Sequence, residues 1–202
     1  MMWAGQAVRL LSGAAEGWHR HGAARLPRGT VVTFAVMLCC SLFVAWPQAV
    51  AAVRTPPAVP IIEQEPERCG PAALAMVLRF WGADDRAVAE CDRAYDPVLH
   101  GTLVTDLAGA ARRAGYAAEV KMLESDSLIA FVRNGVPPIV LYQTGRWLTV
   151  PHYAVVTDYD DVRDRFTLHD GTASPRQMRR SELERRWRTA GSQALIVRKL
   201  EP

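Results

Sequence analysis

An α+β fold is predicted, with N-terminal helices packed on an antiparallel sheet. Three observations predict it. Helical spacing dominates the first part of the folded region, roughly residues 69–134, with one short strand inside it. Strand-like runs dominate the rest, at residues 139–142, 152–159, 165–170 and 193–199. The middle two of these flank the polar turn Asp160-Asp161-Val162-Arg163-Asp164, which reads as a hairpin and makes its strands antiparallel.

The elements follow in order. Leu74, Val77 and Leu78 recur at three and four residues, Pro71 suits a first helical turn, and Gly82 is a natural stop, so a helix is expected over residues 69–81. A short helix follows near residues 86–92, and Asp96-Pro97 with His100-Gly101 marks a loop. Leu107, Ala110, Ala111 and Ala114 form the inner face of a third helix over 104–114, ended by Gly115. Residues 116–122 read as a short strand. A fourth helix is expected from Ser125 or Asp126, capped by those residues, to Asn134, before Gly135. Ser181-Glu182-Leu183-Glu184 reads as the capped start of a short helix.

The chain has 202 residues, half of them hydrophobic, which suffices for one compact domain and an N-terminal appendage. Residues 1–52 form a basic leader. Arg9, Arg20, Arg25 and Arg28 precede an apolar segment at 30–46, and Ala49-Val50-Ala51 offers a small-x-small cleavage site. A cleaved signal peptide and a retained membrane anchor both fit, and both place the rest of the chain outside the cytoplasm, in the periplasm or cell envelope. Residues 53–59 are a Pro-rich linker, and the domain spans 60–202.

The net charge is only +3 and the arginines are scattered without interleaved aromatics, which argues against a nucleic-acid partner. The Arg179-Arg180 and Arg185-Arg186 pairs read as the solvated face of a helix. The cysteines at 39, 40, 69 and 91 make neither a CxxC zinc site nor a disulfide framework, and no metal or cofactor is expected. A Cys69–Cys91 disulfide remains the alternative to a free thiol.

Chemistry concentrates on four residues in chain order: Gln64, Cys69, His152 and Asp170. Cys69 opens a helix, whose positive end favours a thiolate. His152 and Asp170 are symmetric about the hairpin turn, so they are expected opposite or diagonal to each other, with the carboxylate orienting the imidazole. Gln64 is placed to offer a side-chain N–H to an oxyanion, with the Cys69 amide as second donor. Asp158 is a rival partner for His152 at the far end of the same strand. His169 faces away from Asp170 and reads as surface or structural. His100 is a loop histidine without partners. Trp81, Trp147 and Trp187 read as core or rim aromatics, although residues 142–147 are positioned to line a cleft beside His152.

The block Gln64-Glu65-Pro66-Glu67-Arg68-Cys69-Gly70-Pro71-Ala72-Ala73, followed by Pro151-His152-Tyr153-Ala154-Val155-Val156 and Leu168-His169-Asp170, resembles the bacteriocin-processing, double-glycine-type peptidase family. The resemblance covers nearly all of residues 60–200. It implies a papain-like fold, with Cys69 as nucleophile, His152 as base, Asp170 as orienting residue and Gln64 as oxyanion donor. It also implies a peptide substrate and export machinery as a partner. Two other functions are compatible with the same residues: a peptide-binding module that does not cut, and a thiol acyltransferase that passes its thioester to an amine.

Overall fold

The computed structural model describes residues 58–145 and 148–200. In chain order the elements are α1 (Cys69–Phe80), α2 (Asp85–Ala89), a 3-10 turn (Glu90–Ala94), α3 (Val104–Arg113), β1 (Tyr116–Met122), α4 (Ser125–Arg133), β2 (Ile139–Thr144), β3 (Val150–Asp160), β4 (Arg165–His169), β5 (Arg176–Arg179), α5 (Arg180–Thr189) and β6 (Gln193–Lys199). The six strands form one sheet in the order β1-β6-β2-β3-β4-β5, antiparallel throughout.

Alternation along the central strands explains how the helices are placed. Ile139, Tyr153, Val155, Leu195 and Val197 face one core, filled by α1 and α3. Val140, Tyr142, Ala154, Val156, Ala194 and Ile196 face a second core, filled by α4 and α5. A strand that is apolar on both sides needs cover on both sides. The helices therefore flank the sheet on two faces. In α1 every residue from Gly70 to Leu78 is buried, which fixes the helix and its first residue firmly. Trp81 donates to the Val197 carbonyl at 3.0 Å, and Trp187 donates to the Gln193 carbonyl at 2.7 Å. Trp187 belongs to the second core, and Trp147 lies outside the described residues.

Three local expectations are corrected. Ser125 and Asp126 do not cap α4: Glu124 is its N-cap, without a side-chain bond. Their side chains are taken by tertiary partners instead, Ser125 by Glu184 and Asp126 by Arg180 at 2.9 Å. Ser181 does not cap α5, which begins one residue earlier after the N-cap Arg179 and runs ten residues. Nor are the arginine pairs uniformly solvated. Arg179 and Arg185 are exposed, but Arg180 and Arg186 are half-buried. Arg180 joins α5 to α4 through Asp126 and Glu184, and Arg186 ties α5 to the Gln143 carbonyl of β2 at 3.2 Å. Strand β5 was not anticipated.

Among the described residues, no helix is long and apolar enough to cross a membrane. The leader, the apolar segment at 30–46 and residues 53–57 of the linker lie outside the described residues.

Candidate active site

Cys69 is the first residue of α1, and its N–H has no acceptor within the helix. The sulfur sits in a ring of donors: the His152 imidazole and the amides of Gly70 and Tyr153. Burial raises the thiol, but those hydrogen bonds and the charge of His152 outweigh it, and Cys69 titrates below its ordinary range. His152 shows the complementary shift. Burial disfavours its charged form, yet the bond and charge of Cys69, together with the Asp170 carbonyl and carboxylate, carry it above the usual histidine range. Opposed shifts of this kind favour the charged forms of both groups, thiolate and imidazolium. No disulfide competes, because Cys69 and Cys91 are both free. Burial, with the Asp92 charge beside it, pushes the Cys91 thiol up to about 12.

The β3–β4 register explains where His152 points. Val155 pairs with His169, the last residue of β4, so His152 lies beyond the final pair on that side. Continuing the register sets Asp170 opposite Ala154 and diagonal to His152, within the expected reach. The contact itself differs from expectation. His152 Nε2 meets the main-chain carbonyl of Asp170 at 2.9 Å, not the carboxylate. A carbonyl only accepts, so Nε2 carries a proton and Nδ1 is the nitrogen left for the thiol. The Asp170 carboxylate is buried and otherwise engaged, accepting from Thr172 Oγ1 at 2.7 Å and from Arg176 at 3.3 Å. The side chain turns away because a threonine two residues on and an arginine on β5 satisfy it there. Its charge still favours the imidazolium.

Tyr142, cross-strand partner of His152, is fully buried and meets the imidazole edge-on at 5.8 Å between ring centroids. It braces the ring instead of lining an open cleft. A cavity of about 290 Å³ lies nearby, lined by Thr144, Gly145, Arg176, Met178, Glu182 and Arg186. Asp158 is exposed and pairs with Thr167, far along β3 from the thiol.

Gln64 lies on an irregular strap, residues 58–64, tied to the site by a backbone bond. Its N–H donates to the Gly171 carbonyl at 3.0 Å, and the buried His169 imidazole lies beside the Pro60 carbonyl with its Nδ1 unpartnered. His169 is therefore a buried structural residue, and burial lowers its affinity for a proton. The strap thus reaches the active site through residues 169–171, the same segment that orients His152. His100 meets Glu67 at 3.2 Å on the surface, away from this group. Among the described residues, no cluster of three or more His, Cys, Asp or Glu side chains is arranged to hold a metal ion.

The comparisons agree with this architecture. The family model for the Peptidase_C39 like family matches residues 57–195. The peptidase domain of Streptococcus ComA, a bi-functional ABC transporter involved in a quorum-sensing pathway, aligns with a TM-score of 0.57 at 19% identity, over 70% of this chain and 99% of that one. A double glycine motif protease from an AMS/PCAT transporter, solved in complex with the leader peptide, aligns with a TM-score of 0.57 at 20% identity, over 73% and 96%. A C39-like peptidase from Bacillus anthracis aligns with a TM-score of 0.58 at 18% identity, over 71% and 96%. At these identities the structural likeness is one of fold. No curated protein matches the sequence. The family match runs from the strap, through the Cys69 helix and the His152 strand, to β6, and the chain belongs to the Peptidase C39-like family of papain-like cysteine peptidases.

Proposed function

We propose that the chain hydrolyses a peptide bond through Cys69, His152 and Gln64, with Asp170 acting on His152 through its main-chain carbonyl and its buried charge. The single observation that carries this reading is the hydrogen-bonded Cys69–His152 pair with opposed shifts at the start of α1. The thiolate attacks the scissile carbonyl and forms a C–S bond. Gln64 Nε2 and the Cys69 amide hold the tetrahedral oxyanion. The His152 imidazolium gives its proton to the departing amine, leaving a thioester. Neutral His152 then takes a proton from water, the hydroxide displaces the thiolate, and an acid is released.

The substrate we assign is a peptide with Gly-Gly before the scissile bond. The fold and family likeness to a double glycine motif protease bound to a leader peptide supports this. The basic leader and the apolar segment at 30–46 support an exported, envelope-located enzyme working beside export machinery.

The test is the pH dependence of Cys69 alkylation, read residue by residue by mass spectrometry. Cys69 in the wild type is expected to react well below the ordinary thiol range. In His152→Ala the onset is expected to rise toward about 8.5. A wild-type onset already at that value would sink the reading. Hydrolysis of a Gly-Gly peptide is expected to follow a bell. Its acid limb reports protonation of the thiolate, below the ordinary thiol value. Its alkaline limb reports loss of the imidazolium proton, above the ordinary histidine value.

The Asp170 geometry makes a separate prediction. Where a carboxylate bonds directly to the catalytic imidazole, its conversion to amide costs about 10⁴ in kcat. Asp170→Asn here keeps the carbonyl that holds Nε2, and the expected loss is about tenfold, one pKa unit's worth of lost charge stabilisation. A loss near 10⁴ would mean that the carboxylate swings onto the imidazole during turnover.

A further inference from the structure

We infer that Gly171 is a positioning residue for Gln64, the seat that aims the oxyanion donor. The inference rests on the role proposed for Gln64 and adds the element that sets its place. Gly171 is buried, with φ of +80°. A Cβ built on it would fall 2.5 Å from Gln64 Oε1, 2.8 Å from Cγ and 2.9 Å from Cβ. Those atoms run from the root of one side chain to its tip, and no side-chain torsion moves Cβ, so no rotamer change relieves all of them. The Gly171 carbonyl also receives the Gln64 N–H at 3.0 Å. Gln64 is thus held by its backbone and pressed by its whole side chain against a bare Cα.

The orientation of the amide follows. Gln64 Oε1 is buried against Gly171 and has no hydrogen-bond partner. Leaving a carbonyl oxygen unpaired is costly, and the cost is tolerable where it turns Nε2 the other way for use as a donor. Gly171 follows Asp170, whose carbonyl holds His152. Two consecutive carbonyls therefore fix the base and the oxyanion donor. The relative placement of these groups is set by one short piece of backbone.

The substitution Gly171→Ala tests this in the full chain. Gly115→Ala is the control for backbone strain, since Gly115 has φ of +87° and a Cβ there meets nothing within 4 Å. With a fluorogenic peptide carrying Gly-Gly before the scissile bond, Gly171→Ala is expected to lower kcat on the order of 10²-fold, as for a lost oxyanion donor. KM and the pH profile of Cys69 alkylation are expected to stay at wild-type values, and Gly115→Ala to retain wild-type kcat. Adding Gly171→Ala to Gln64→Ala is expected to cost nothing further. A kcat for Gly171→Ala equal to that of Gly115→Ala, or losses that multiply in the double variant, would overturn the inference.

A readout without turnover stands beside it. The Gln64 side-chain amide signals in ¹⁵N spectra, identified by their absence in Gln64→Ala, are expected to move in Gly171→Ala and to stay put in Gly115→Ala. Unmoved signals overturn the seat. If they move while Gln64→Ala keeps full kcat, the seat stands and the oxyanion role of Gln64 falls instead.

Discussion

Cys69→Ala is expected to lower peptide hydrolysis by a factor on the order of 10⁵–10⁶, the range seen when a nucleophile is removed from a site that works as a unit. The loss should appear in kcat, because in the proposed reaction the thiol forms the new bond. The same variant should change His152 in a way that no general destabilisation would produce. The upward contributions to His152 are led by the Cys69 hydrogen bond and then by the Cys69 charge. With both gone, burial remains, opposed only by the Asp170 carbonyl and carboxylate, and the imidazole pKa should fall. An NMR titration of His152 in the two proteins checks this; an unchanged pKa would mean that the pair is not coupled. The sign for stability follows. In the wild type the folded His152 pKa is raised, so its contribution to stability is complete below its unfolded value near 6.5 and is lost as pH rises through the folded value. Cys69→Ala should flatten the His152 part of that dependence.

Trp187→Ala is expected to be the most destabilising simple truncation, at about 3–5 kcal/mol, the range for removing a large aromatic from a core. Trp187 lies with Leu183 on the inner side of α5 and fills the second core with Tyr142, Phe166 and Leu168. Truncation would leave a cavity under the sheet and strip the Gln193 carbonyl of its indole donor. Denaturant unfolding of the full chain measures the loss. The remaining folded protein should keep a reactive Cys69 thiol, since the groups that act on it belong to α1 and β3, and the carbonyl that holds His152 follows β4. A cost below about 1 kcal/mol would mean that the second core collapses onto the space.

The sequence carried the parts of this molecule that rest on side-chain patterns. Strands β1 and β6 were read to their final residues: β1 starts directly after Gly115, and β6 is a short apolar run, Ala194 to Val197, buried on both faces. Cys69 and His152 were legible because thiol and imidazole advertise their chemistry. Strand β5 was illegible for the opposite reason. Its four residues, Arg176 to Arg179, hold one apolar side chain, Met178, and an edge strand needs only one to dock. Helix α5 ran longer than expected because Leu183 and Trp187, four residues apart, carry it between charged neighbours. The orientation of His152 was misassigned because the group that holds it is a peptide carbonyl, which every residue owns and no sequence displays. Gly171 stayed silent for the same reason, since its contribution is the absence of a side chain.

The contrast between the two thiols of the domain has a consequence for its handling under oxidants. A half-exposed thiolate is the species that peroxide converts to sulfenic acid. Rescue from within the domain would require a second thiolate, because disulfide formation proceeds through that form. Cys91 is buried and its thiol is pushed up to about 12, so it makes a poor resolving cysteine. Among the described residues no thiol is suited to resolve it, so oxidised Cys69 depends on thiols from outside the domain to return, and in their absence it advances to the irreversible sulfinic acid. In an oxidising compartment this peptidase lasts as long as an external reductant reaches Cys69.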